Sequence, residues 1–142
     1  MPLTLTLTED VLPEGAEKLA IAKITEAMLK WHNLAGNEIM KSNITAMVQV
    51  LPKNATYAGG EEFSGVWVEW KVPSFAFTDR DVQIGFGQDV TDIIYELSGR
   101  TQPRENIYIN VVHAVDGSWN FNGVAMTNEQ ITQAISTNGV SQ

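Results

Sequence analysis

The chain contains no cysteine. Disulfide bridges, thiolate nucleophiles and zinc–cysteine sites are therefore excluded by composition. Histidine occurs only at His32 and His113, too few for a histidine-rich metal centre, and no metal or cofactor is expected. Basic residues are scarce: 9 Lys plus Arg stand against 17 Asp plus Glu, a net charge of -8. Phosphate-rich partners need a basic footprint, so neither nucleic acid nor an anionic membrane surface is an expected partner. Apolar runs are no longer than a strand, and residues 1–12 hold neither a basic region nor a continuous apolar stretch. No signal peptide or membrane span is expected, and the location expected is cytoplasmic. The sequons at Asn43 and Asn54 would matter only in a secreted chain. Familiar short motifs are missing too: there is no Gly-x-Gly-x-x-Gly after a strand, no Walker loop, no His-Glu-x-x-His and no Gly-x-Ser-x-Gly. The carboxylates Glu61, Glu62, Asp79 and Asp81 fall in loop and helix-start contexts and read as solvated surface.

What is present is enough for one domain. A chain of 142 residues with 44% hydrophobic content can bury a core of its own. Residues 2–8 alternate strictly, Leu3, Leu5 and Leu7 against Thr4, Thr6 and Thr8, which predicts a half-buried strand. Pro13 and Glu14 open a helical segment whose apolar positions are Ala16, Ala20, Ile24, Ala27, Met28 and Trp31, and Asn33 to Gly36 ends it. Residues 44–51 predict a second strand, apolar on both faces and therefore central. A polar, glycine-containing loop covers 52–65, and 66–72 alternate as a third strand. Thr78 with Asp81 resembles a helix cap. Val82, Phe86, Val90, Ile93 and Leu97 then follow at helical spacing to Gly99, with Gly85 and Gly87 each costing about 1 kcal/mol relative to Ala. Residues 107–115 predict the fourth long strand.

These elements repeat. The strand–helix–strand set beginning near residues 2, 14 and 44 recurs near 66, 79 and 107. The expected fold is α+β, with βαβ units over 2–51 and 66–115 and a turn and tail over 116–142. Right-handed crossovers place both helices on one face of a four-stranded mixed sheet. The other face is apolar in places and calls for a symmetric oligomer to cover it. In the tail, Thr127 and Gln130 form a capping-box pattern ahead of Ile131 and Ile135, predicting a short helix with 137–142 frayed.

Pro2 is the residue with chemical potential. After removal of Met1 it becomes a secondary-amine terminus with a reference pKa of about 7.7–8.0, and burial lowers such a value toward that of a working base. The alternative reading is that proline simply begins a strand, where it breaks no ladder bond.

A Met-Pro start running into a strand, the duplicated βαβ unit and the chain length together resemble the tautomerase superfamily, closest to its cis-3-chloroacrylic acid dehalogenase branch. The resemblance covers residues 2–125. It rests on Pro2-Leu-Thr-Leu-Thr-Leu-Thr, Ala22-Lys-Ile-Thr-Glu-Ala27, Asn33-Leu-Ala-Gly36, Gln49-Val-Leu-Pro-Lys-Asn54 with Gly59-Gly60, Asn106-Ile-Tyr-Ile-Asn110 and Trp119-Asn-Phe-Asn-Gly123. It implies a homotrimer, a tail that packs on a neighbouring subunit, and a general base or acid at Pro2 acting on a small keto or enol acid. It also locates departures. Met28 stands where the branch has a histidine, with His32 one turn on. Pro73 to Phe77 replace a pair of arginines, leaving Lys71 before and Arg80 after. Asn120 stands for a water-activating glutamate, and Asn110 for a tyrosine.

Asparagine cannot activate water, so dehalogenation and hydration are not expected. Tautomerisation needs only an amine and donors that polarise a carbonyl, and Asn110, Asn120 and Asn122 are candidates for those donors. Trp67, Trp70, Trp119 and Phe121 point to an apolar, arylpyruvate-like ligand, though a tryptophan on each face of one strand makes at least one of them core. Lys71 and Arg80 are either carboxylate anchors or surface charges. His113 reads as a sheet histidine with a satisfied ring, and His32 as a partner for helix-end carbonyls. The other functional reading is a family member that has lost catalysis and serves as a trimeric binding or structural protein. A retained Met1 favours it, because Pro2 nitrogen is then a non-basic amide.

Overall fold

Alternating leucines at the N-terminus produce an inner strand of the sheet. In the computed structural model, which describes residues 1–136, β1 (Pro2–Thr8) leads into α1 (Ala16–Trp31), α2 (Glu38–Asn43) and β2 (Thr45–Leu51). A small hairpin of β3 (Tyr57–Ala58) and β4 (Glu61–Glu62) precedes β5 (Val66–Pro73), α3 (Arg80–Leu97) and β6 (Ile107–Ala114). A second hairpin, β7 (Trp119–Phe121) with β8 (Val124–Met126), leads to α4 (Asn128–Ser136). The frayed end expected over 137–142 lies outside the described residues.

The main sheet has the order β2-β1-β5-β6. β1 runs parallel to β2 and β5 parallel to β6, while β1 and β5 meet antiparallel with Leu5 opposite Val68. This is the expected four-stranded mixed sheet of an α+β fold. Its first half starts at residues 2 and 16, and its second at 66 and 80.

One expectation is overturned. β2 lies at an edge, not at the centre, and Met47 and Val50 are 61% and 50% exposed. Apolarity on both faces of a strand encodes exclusion from water. It does not say whether further strands of the same sheet or another chain provides the cover.

The core lies between one sheet face and the helices. Leu3, Leu5 and Leu7 of β1 join Val66, Val68, Trp70 and Val72 of β5, packed against Ala20, Ile24 and Met28 of α1 and Phe86, Val90 and Ile94 of α3. Each large apolar side chain so buried contributes about 1.5–3 kcal/mol. Trp70 is therefore core, with Phe86 edge-on at 6.1 Å, whereas Trp67 lies on the opposite face, stacked on Tyr108 at 6.0 Å. Gly85 is the close-approach point of the helices. A Cβ there would sit 2.1 Å from the Trp31 ring, and that ring is fixed by its indole N–H donating to Asp89 at 2.7 Å.

Helix starts differ from expectation in two places. Gly15 adopts φ 86°, so α1 begins at Ala16 and Pro13 stays in the preceding turn. Asp79, not Thr78, caps α3, its carboxylate accepting from Asp81 N–H at 2.8 Å. Thr127 and Gln130 do form the reciprocal cap of α4, at 3.2 and 2.9 Å. That helix buries Ile131 and Ile135 against its own chain, where Asn37 donates to the Ile135 carbonyl at 2.9 Å. Among the described residues no helix is long and apolar enough to cross a membrane.

Candidate functional site

The start of β1 forms one wall of a cleft of about 460 Å³. The parallel register sets Thr45 beside Pro2, and Asn43, at the end of α2, closes the same side. Ala114 ends β6 opposite, and Ser118, Trp119 and Asn120 complete the lining. Trp119 and Asn120 are held there by the β7–β8 hairpin. Its two-residue turn, Asn122-Gly123, has both residues at positive φ, 55° and 78°, the geometry that asparagine–glycine turns supply. Phe121 is 3% exposed and anchors the hairpin in the core. At the hairpin base Asp116 accepts from Asn128 N–H at 2.8 Å, and the Asn128 amide donates to Ser74 Oγ at 2.7 Å.

Met1 lines the same cleft. It is 7% exposed, its amine donates to the Asn43 carbonyl, and its own carbonyl accepts from Thr45 N–H at 3.2 Å. Desolvation pulls the amine from its ordinary 8.0 down to about 6, because burial disfavours the ammonium form.

Of the residues singled out in the sequence, Pro2, Trp119 and Asn120 come together at the cleft. Lys71 lies one register step beyond the Leu3–Trp70 pair, exposed on the sheet face that Pro2 shares. Asn110 is on that face too, opposite Glu69 of β5, so the width of β5 separates it from β1. Asn122 sits in the turn, and Phe121 in the core. Arg80 is elsewhere: with Arg104 it lines a larger cleft of about 680 Å³ between α3 and β6, and it donates to Gln83 at 3.3 Å.

The two histidines hold the loop between β5 and α3. His32 Nδ1 donates to the Met28 carbonyl at 3.0 Å, and its Nε2 accepts from Phe77 N–H at 3.2 Å. Both bonds require the neutral ring, and burial lowers its pKa below 6.5 against the smaller opposing effect of the Met28 carbonyl. His113 Nε2 donates to the Ala76 carbonyl at 2.7 Å. Both rings thus make the structural contacts that the sequence allowed. Among the described residues no group of three His, Asp or Glu is placed to hold a metal ion.

Sequence reasoning passed over Asn43, Thr45, Ala114 and Ser118. Thr45 carried a signal, since pairing the first residues of two parallel strands puts it beside Pro2. Asn43 carried none, because the short helix α2, capped by Asn37 accepting from Met40 N–H at 2.9 Å, has no periodicity of its own.

No family model matches the sequence, and no curated protein matches it. Solved structures do match its fold. A member of the cis-3-chloroacrylic acid dehalogenase family aligns at 11% identity over 94% of this chain and 90% of its own, with a TM-score of 0.68. A malonate semialdehyde decarboxylase inhibited by 3-bromopropiolate aligns at 12% over 96% and 98%, with a TM-score of 0.68. A fused 4-OT, a symmetric trimer, aligns at 10% over 88% and 95%, with a TM-score of 0.70. These are tautomerase-superfamily structures, and the chain has their fold.

Proposed function

We propose, with that fold as the premise, that the chain is a keto–enol tautomerase, trimeric in solution, in which Pro2 freed of Met1 is both general base and general acid. The observation that carries the reading is the half-buried cleft at the start of β1, where a terminal amine is already drawn down to about 6. Pro2 is the next residue and lines the same cleft, so a terminal amine there would meet a similar desolvation. In the reaction, Pro2 nitrogen takes a proton from the carbon beside the carbonyl, leaving an enolate, and the resulting ammonium returns the proton to oxygen. Asn120 is suited to donate to that oxygen, with Trp119 as an apolar wall. For a keto or enol acid, the substrate drawn from resemblance, Lys71 on the sheet face that Pro2 shares is the candidate cation. Exposed Met47, Val48 and Val50 on β2, and the trimeric state of the fused 4-OT, support the assembly.

The base works only when unprotonated, so turnover is full above the amine pKa and is lost as pH falls through it. Rates of enol-to-keto conversion measured between pH 5 and 9 are expected to reach half-maximum below 8.0. A half-point at or above 8.0, or a rate independent of pH, contradicts the reading.

Burial of Met1, with its bonds to Asn43 and Thr45, favours a second reading for chains that keep it. Pro2 nitrogen is then an amide, and the trimer serves as a binding or structural protein.

A further inference from the structure

The way Met1 is held describes the ligand that would replace it. Its carbonyl is joined directly to Pro2 nitrogen, and the carbonyl oxygen accepts from the Thr45 backbone N–H at 3.2 Å. On the other side its amine donates to the backbone carbonyl of Asn43. Loss of Met1 therefore leaves one donor and one acceptor facing the space beside Pro2 nitrogen. These are the partners an uncharged carbonyl compound needs. One oxygen takes the Thr45 N–H, and a second, in its enol form, donates its O–H to Asn43.

A carboxylate fits the same space badly. It can accept from the Thr45 N–H, but it has no proton to give Asn43, and taking its charge out of water with no cation beside it is destabilising. The side chains around it supply no compensating charge. Asn43, Thr45, Ser118, Trp119 and Asn120 are all neutral, and among the described residues of this chain no lysine or arginine lines the cleft. Residues 137–142 contain no basic residue that could be added. Lys71 is exposed to solvent, and Arg80 lines the other cleft. The net charge of -8 also repels an approaching anion. An anion seated beside Pro2 would in addition stabilise its ammonium form and remove the base.

We infer that the Pro2 cleft selects an uncharged enolisable carbonyl compound, of the 1,3-diketone type, through Thr45 N–H and the Asn43 carbonyl. This rests on the reading that Met1 is removed and Pro2 is the reacting group. The reaction itself is unchanged: one C–H bond breaks, one O–H bond forms, and Pro2 carries the proton between them.

The test compares acetylacetone with acetoacetate, which exchanges one neutral acetyl group for a carboxylate. Protein whose mass shows a free Pro2 is labelled with 5-fluorotryptophan, and the Trp119 fluorine signal is assigned with Trp119→Phe. At pH 7 and constant ionic strength, acetylacetone is expected to move that signal at concentrations at least about tenfold lower than acetoacetate does, because the carboxylate loses water with no cation to replace it. Equal or tighter binding of acetoacetate overturns the inference, and so does the absence of any shift with acetylacetone. Thr45→Pro removes the donor at the first residue of an edge strand, where proline is tolerated, and should weaken acetylacetone binding by about three- to tenfold. Unchanged affinity overturns the role of Thr45. Solvent deuterium exchange at the diketone's central carbon, followed in the same samples, separates the two claims. Binding without Pro2-dependent exchange preserves this specificity and removes the tautomerase reading. Preferential binding and exchange of acetoacetate does the reverse.

Discussion

Protein that retains Met1 is expected to turn over keto–enol substrates about 10²–10⁴-fold more slowly than protein that begins at Pro2, the span general acid–base catalysis supplies. Two effects act together. The Pro2 nitrogen of a Met-Pro bond is an amide, its lone pair delocalised into the carbonyl, so it accepts no proton at working pH. Met1, with its carbonyl on Thr45 N–H and its amine on Asn43, also occupies the two backbone partners beside Pro2 that a substrate would use. Matched preparations treated or untreated with methionine aminopeptidase, their termini verified by mass, give the comparison. Pro2→Ala is the informative companion. After Met1 removal it still presents a terminal amine in the same cleft, so it should keep a rate well above that of the Met1-bearing form. Equal activity with and without Met1 would remove the amine from the mechanism.

Gly85→Ala is expected to destabilise the fold by about 1–3 kcal/mol, the usual consequence of overpacking. Helix propensity alone predicts the opposite sign, because alanine in place of a helical glycine stabilises by about 1 kcal/mol. Packing wins here because the new Cβ would lie 2.1 Å from the Trp31 ring. The ring cannot simply swing aside, since its indole N–H is bonded to Asp89 at 2.7 Å. Shifting it gives up a charge-assisted bond and opens the α1–α3 contact on which the core depends. Urea unfolding of Gly85→Ala, and of Gly85→Ala combined with Trp31→Leu, checks the account. The single substitution should lower the midpoint and the double should recover part of the loss. A single substitution that raises the midpoint would mean that the helices separate at little expense.

Much of the fold was legible because the chain repeats one simple instruction. Alternation at Leu3, Leu5 and Leu7, helical spacing through Ala20, Ile24 and Met28, and their recurrence in Val66 to Val72 and in Phe86 and Val90 define both βαβ halves and the face where they meet, although the spacing pointed to Ile93 where the structure buries Ile94. Periodicity reports which side of an element avoids water. It could not report that β2 lies at the edge, because Met47 and Val50 are apolar on a strand that its own chain leaves exposed. Local chemistry moved helix starts by a residue or two. Gly15 at positive φ delays α1, and the Asp79 carboxylate caps α3 ahead of the threonine the pattern suggested.

The candidate site divides along the same line. Pro2 and the Trp119–Asn120 pair stand out by residue type and turn signature, and they converge. Arg80 is close to the end of β5 in sequence, yet it opens a helix that faces a different cleft, so nearness along the chain misplaced it. Thr45 and Asn43 contribute backbone atoms, and no side-chain motif advertises a backbone N–H or carbonyl. Only the β1–β2 register and the position of Met1 bring them into view.

The most direct test of the central claim is to expose the native protein to bromoacetone and sequence the modified peptide by mass spectrometry. With no cysteine in the chain, no thiol competes for the reagent. The account predicts one acetonyl group on a peptide that begins at Pro2, formed as the amine displaces bromide, with a labelling rate that reaches half its maximum below pH 8.0. An N-terminal peptide that begins with Met1, or a Pro2 terminus left unmodified while lysine or histidine side chains react, would contradict it.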